Sequence, residues 1–177
     1  MNTLTAVLLL VAVIVLALLG YAAARPDTFR VERTIHIEAA PETVFAQIDD
    51  FRRWSAWSPY EKRDPAMKRA FDGPASGLGA VYGWSGNNKV GEGRMEIVRS
   101  APASRIEIRL DFVRPFEAHN TAEFTLAPQA GGTEVRWAMH GPSPYLSKLM
   151  GIFIDMDKMI GKDFETGLAG LKAVAER

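Results

Sequence analysis

The sequence predicts an α+β domain: a curved antiparallel sheet around a long C-terminal helix, preceded by one N-terminal transmembrane helix. Three observations carry this expectation. Segments of period two, separated by short turn-forming stretches, recur from Val31 to His140, and short connections make neighbouring strands antiparallel. Apolar residues recur at helical spacing from Pro144 to about Glu176. The segment Leu4 to Ala24 carries no charge at all.

That first segment spans about 20 residues, enough for one transmembrane helix. The small residues Ala22 to Ala24 also suit a cleaved secretion signal, but no Lys or Arg precedes the apolar run, which is long for a signal core. The anchor is the favoured reading, with residues 1–25 as anchor and 26–177 as one folded domain. Arg25, Arg30 and Arg33 follow the run, so the positive-inside tendency favours a cytoplasmic domain. Arg25-Pro26-Asp27 forms a short linker, because proline stops a helix.

Val31 to Glu38 alternates, with Val31, Arg33, Ile35 and Ile37 on one face, as in a half-buried strand. A short helix follows in APETVFAQIDD: Pro41 suits the first turn, Glu42 the positive end of the dipole, and Val44, Phe45 and Ile48 make an apolar face. Phe51 to Tyr60 reads as a second short helix ending near Pro59. Strands are then expected at Met67–Asp72 (weakly), Gly79–Ser85, Gly91–Arg99, Ser104–Phe112, Ala118–Leu126 and Thr133–His140, separated by GPASGLG, SGNN, SAPAS and QAGG. Leu146, Leu149, Phe153, Met156, Ile160, Phe164 and Leu171 then give one long helix an apolar face. A sheet with one polar face must cover the other. Only the helices can do so, which gives the helix-grip shape.

The 21 basic and 21 acidic residues balance, and all lie after the first segment. The domain therefore has no basic excess for nucleic acid. The chain has no cysteine, and His36, His119 and His140 are too scattered to suggest a zinc site. Neither a G-x-S-x-G nucleophile motif nor a G-K-[ST] phosphate loop is present. No metal or cofactor is expected.

The segments FRRWSAWSPY, GWSGNNKVGEGRMEI, FVRPFEAHNTAEFTL, GGTEVRWAMHGPSPY and MDKMIGKDFETGLAGLK together resemble the polyketide cyclase/dehydrase and lipid-transport family. That family belongs to the START-like (SRPBCC) helix-grip superfamily, with the birch-pollen allergen fold and the heat-shock-ATPase activators. The resemblance covers the whole domain after the anchor. It implies a deep apolar cavity between sheet and helix. It also implies a lipid, sterol or polyketide as ligand, or, in a few members, cyclisation chemistry.

Trp54, Trp57 and Tyr60 recur every third residue and share one helical side. In the helix-grip shape they stand near the base or wall of the cavity. Trp84, Phe112, Phe116, Trp137, Met139, Phe153 and Met156 are expected to converge on the same space. Rings with a polar tip suit an apolar wall with one donor, and methionines adapt to variable shapes. An aromatic set at this spacing is also what an ordinary core requires. Strand phase turns all three histidines and Glu92, Glu96, Glu107, Asp111, Glu123 and Glu134 away from the apolar face. Asn120 is the polar exception on the inner side, as a ligand contact or as a tie to local backbone. Asp157, one turn after Phe153, reaches the cavity rim or pairs with a surface cation. Gly161, Gly167 and Gly170 each cost a helix about 1 kcal/mol against alanine. Close approach to the sheet explains them plainly, and room for a ligand is the alternative.

The leading expectation is a membrane-anchored binding domain for a hydrophobic small molecule. The alternatives are a cyclase- or dehydratase-type enzyme using a pocket polar residue, and a non-catalytic interaction protein with a packed interior.

Overall fold

The computed structural model of the chain describes residues 2–177. Helix α1 spans Thr3–Ala24, and Asn2 caps it by accepting from the Thr5 backbone N–H. Strand β1 (Thr28–Ile37) leads into α2 (Pro41–Ile48), where Pro41 occupies the first turn. A 3-10 helix follows at Phe51–Ala56. Strands β2 (Lys68–Asp72), β3 (Val81–Ser85), β4 (Glu92–Ala101), β5 (Arg105–Arg114), β6 (Ala118–Gln129) and β7 (Gly132–Pro142) come next, then α3 (Tyr145–Met150) and α4 (Met156–Ala175).

The seven strands form one antiparallel sheet in the order β1-β7-β6-β5-β4-β3-β2. Each strand from β2 to β7 pairs with its chain neighbour, as short connections require. β1 closes the far edge against β7, from Thr28↔Pro142 to Ile37↔Thr133. Register shifts at Glu92/Gly93 and Ile97/Arg99 interrupt the β4–β5 ladder, and such bulges bend a sheet. The inner face carries the alternating apolar residues, among them Ile37, Ile97, Ile106, Ile108, Phe124 and Val135, all fully buried.

Two expectations about helices change. The stretch around Trp54 is a 3-10 helix and turn rather than an α-helix. The C-terminal pattern is two helices rather than one, because Gly151 ends α3 and Asp155 starts α4 by accepting from the Lys158 N–H. An apolar period does not register such a break, since the turn between the helices is itself apolar.

Register also defines two ends of the domain. Thr28, Pro142, Ala118, Arg114, Glu92 and Ser85 lie at one end, the end where α1 joins the sheet. Helix α2 follows the other end of β1. Helix α4 runs beside β1 towards that far end: Arg33 holds Asp157 and Glu165, while the Glu38 N–H donates to Glu176.

Candidate functional site

The interior is shut from the far end to mid-sheet, where Trp137 pairs with Arg33 of β1 and Phe124 of β6. In a 3-10 helix residues i and i+3 eclipse, so Trp54 and Trp57 still stand side by side, with ring centroids 4.8 Å apart. Trp54 Nε1 donates to the Ile48 carbonyl at 2.9 Å and Trp57 Nε1 to the Gln47 carbonyl at 3.0 Å. Trp137 is stacked between Phe124 (4.9 Å) and Phe164 of α4 (4.2 Å). Its indole N–H is buried with no acceptor among the described residues. Helix α4 sits directly on these rings. A Cβ at Gly167 would fall 2.6 Å from the Trp137 ring, and one at Gly170 would fall 2.6 Å from the Trp57 carbonyl oxygen. At Gly161 it would meet the Arg33 guanidinium. These glycines permit close approach.

Towards the end where α1 joins the sheet, the same face is less deeply buried. Residues fully buried mid-sheet give way to Met95 (8 % exposed), Met139 (8 %) and Leu110 (9 %), then to half-buried Trp84, Phe112 and Asn120. Trp84 lies flat over Gly93, where a Cβ would come within 2.5 Å of the ring, and meets Phe112 edge-on at 5.7 Å. Its Nε1 donates to the Val90 carbonyl at 3.0 Å. Asn120 folds over Gly141, whose missing Cβ leaves it room. The Asn120 amide makes no hydrogen bond to another described residue, so the structure does not use it to tie down backbone. This end offers apolar surface and one amide with free donors and acceptors.

The remaining expected residues are distributed differently. Tyr60 is half-buried in the turn after the 3-10 helix. Burial, reinforced by Asp163, pushes its phenol well above the ordinary range. Phe116 (72 % exposed), Phe153 (74 %) and Met156 do not converge with the other rings. Phe116 sits in the β5–β6 turn, Phe153 in the turn that breaks the C-terminal helix, and Met156 at the first residue of α4, so none faces the interior. Asp157 lies on the surface, 3.0 Å from Arg33, which also holds Glu165 at 2.8 Å. These carboxylates, Asp157 first, keep the guanidinium above its usual range.

The histidines stand on the outer face, as strand phase predicts. His119 Nδ1 lies 2.7 Å from Asp111, and that hydrogen bond raises the imidazole above its ordinary value. An open groove of about 570 Å³ runs past Arg109, Asp111, His119 and His140 and reaches Asn120 and Gly141 at the sheet end. Among the described residues no cluster of three or more His, Asp or Glu could hold a metal ion.

Sequence reasoning missed Met95 and Leu110 as wall residues, although their strand phase pointed to them. It also missed Glu61, whose carboxylate accepts from Tyr82 at 2.5 Å and from Arg69 at 2.7 Å. Burial, with Glu61 second, raises the Tyr82 phenol. This network pins the turn after the 3-10 helix over β2 and β3. A charged residue in a turn carries no local sign of burial, so only the fold reveals it.

Comparison with known proteins agrees with this geometry. The family model described as polyketide cyclase/dehydrase and lipid transport matches residues 28–176. No curated protein matches. A Chromobacterium violaceum protein of known crystal structure is 17 % identical, with TM-score 0.59 over 86 % of this chain and 99 % of its own. The Aha1 dimer from Colwellia psychrerythraea is 16 % identical, with TM-score 0.57 over 84 % and 96 %. The di-domain ARO/CYC StfQ from the steffimycin biosynthetic pathway is 12 % identical, with TM-score 0.62 over 84 % of this chain and 51 % of its own. At these identities the likeness establishes the helix-grip fold.

Proposed function

The chain belongs to the polyketide cyclase/dehydrase and lipid-transport family, and on that premise we propose that it is a membrane-anchored domain that binds a hydrophobic small molecule at the open end of its sheet. The observation that carries this is the burial gradient along the inner face. Fully buried aliphatic residues and mid-sheet stacked rings close the interior from the far end, while Trp84 and Phe112 keep accessible apolar surface at the α1 end, next to Leu110 and Met139. Each 100 Å² of ligand surface buried there contributes about 2.5 kcal/mol. The Asn120 amide supplies the polar contact that sets orientation. The ligand class this favours is a lipid or polyketide-like molecule with one carbonyl or hydroxyl.

Helix α1 is long and apolar enough to cross a membrane, and anchoring keeps the domain where such ligands partition. Arg25, Arg30 and Arg33 favour the cytoplasmic side for the domain.

A second reading, an interaction domain with a packed interior, draws on the stack of Trp54, Trp57, Phe124, Trp137 and Phe164. One experiment separates the two. The full chain is released from nanodiscs of one synthetic lipid into native mass spectrometry, then extracted with solvent. A stoichiometric apolar compound held by the wild type and lost from Met139→Trp supports binding. A clean apo mass, unchanged after incubation with mixed lipids, refutes it in favour of the packed interior.

A further inference from the structure

We propose that α3 and the α3–α4 turn lie in the bilayer interface, so that the open end of the sheet is held against lipid. The inference rests on α1 being a membrane anchor, as argued above, and adds a second membrane-contacting element.

Contacts pin α3 beside the last turns of α1. The Tyr145 hydroxyl donates to the Leu19 carbonyl at 3.0 Å, and Arg25 Nη1 donates to the Lys148 carbonyl at 3.2 Å. Lys148 is itself buried, with its ammonium on Asp27 at 2.5 Å. Ala22 is the buried residue of α1. At 1.5 Å per residue the 22 residues of α1 measure about 33 Å, against a hydrocarbon core of about 30 Å. Leu19 is five residues, or about 8 Å, short of the helix end at Ala24. A helix hydrogen-bonded at that level stands at the membrane boundary rather than in bulk water. Tyrosine is a favoured residue at that depth.

The outward chemistry agrees. Leu146 (64 % exposed), Met150, Phe153, Ile154, Met156 and Met159 are large apolar side chains left in the open within one short stretch. Soluble surfaces rarely concentrate them so. The occupant is lipid because α3, which starts the patch, is hydrogen-bonded to α1, whose own apolar side chains are exposed. Register puts the β5–β6 turn with Phe116 and the β3–β4 turn at this same end of the sheet. A ligand entering between them would come from the bilayer.

The chain has no cysteine, so single cysteines report cleanly. Val11→Cys in α1, Leu146→Cys, Phe153→Cys and Ala173→Cys at the far end of α4 would each carry an environment-sensitive fluorophore. All four sites are exposed, so labelling does not threaten the fold. The full chain is reconstituted in phosphatidylcholine vesicles containing doxyl-labelled lipid. Quenching and a blue shift are expected at Val11, Leu146 and Phe153, with Ala173 unaffected. Quenching at Val11 with Leu146 and Phe153 matching Ala173 overturns the inference and leaves the anchor standing. An unquenched Val11 removes the anchor and the inference together. Protection at Leu146 and Phe153 that survives in detergent and rises with protein concentration assigns the patch to a second copy, which also overturns it.

Discussion

Replacing Gly170 by alanine tests whether the far end of the interior is shut. In an unconstrained helix the change stabilises by about 1 kcal/mol, because glycine is a poor helix former. Here the new methyl would lie 2.6 Å from the Trp57 carbonyl oxygen and 3.3 Å from its Cα. Those atoms are backbone and cannot rotate away, and Trp57 is itself held through Nε1 on Gln47. Overpacking of this kind costs about 1–3 kcal/mol. The net expectation is a loss of about 1 kcal/mol, or about 2–4 °C in Tm for a domain of this size. Gly161→Ala is the internal control. The atoms nearest its methyl are those of the Arg33 guanidinium, the far end of a flexible side chain that can swing out, and its solvent-facing ion pairs contribute little. Gly161→Ala should therefore stay within about 1 kcal/mol of wild type. The assay is near-ultraviolet circular dichroism of the full chain in detergent, followed through thermal and urea unfolding. Equal or greater stability of Gly170→Ala would refute the reasoning. It would mean that α4 leaves room above Trp57, so that ligand space reaches the far end.

Further measurements test other parts of the structure. Burial raises the Tyr60 and Tyr82 phenols above the ordinary range, so their stabilisation is complete below the ordinary phenol value, pH about 10, and is lost as pH rises towards the raised values. Thermal melts across that range should show a shallower alkaline decline in Tyr82→Phe; an identical slope would place Tyr82 outside the effect. Trp57→Phe should cost more stability than Trp137→Phe by about 1 kcal/mol, because only Trp57 has an acceptor for its N–H; urea unfolding that reverses the order would contradict the packing described. His119 should titrate above the usual imidazole value by NMR and fall towards it in Asp111→Asn, since the Asp111 hydrogen bond is the leading cause of the shift; no movement would break that assignment.

Much of this protein was legible from local chemistry. Strand phase put Ile106, Ile108, Leu110 and Phe112 inward and the histidines outward, because alternation is a property of the pleat itself. The uncharged run at the start, the turn glycines and Pro41 at a helix start are likewise local signals, and the order of elements was enough to suggest the helix grip. Tertiary structure decided everything that depends on what lies opposite. The apolar period ran through Phe153 without a break, because period records hydrophobicity and not whether the residue meets a partner; only the placement of α3 against α1 turned it outward. Trp54, Trp57 and Trp137 looked the same as Trp84 in sequence. Whether a ring is core or wall depends on where α4 touches the sheet, and that is set by the close approach at Gly167 and Gly170. Which end of the inner face is less deeply buried, and that α1 joins the sheet at that end, follows from register and helix docking, which no single segment encodes.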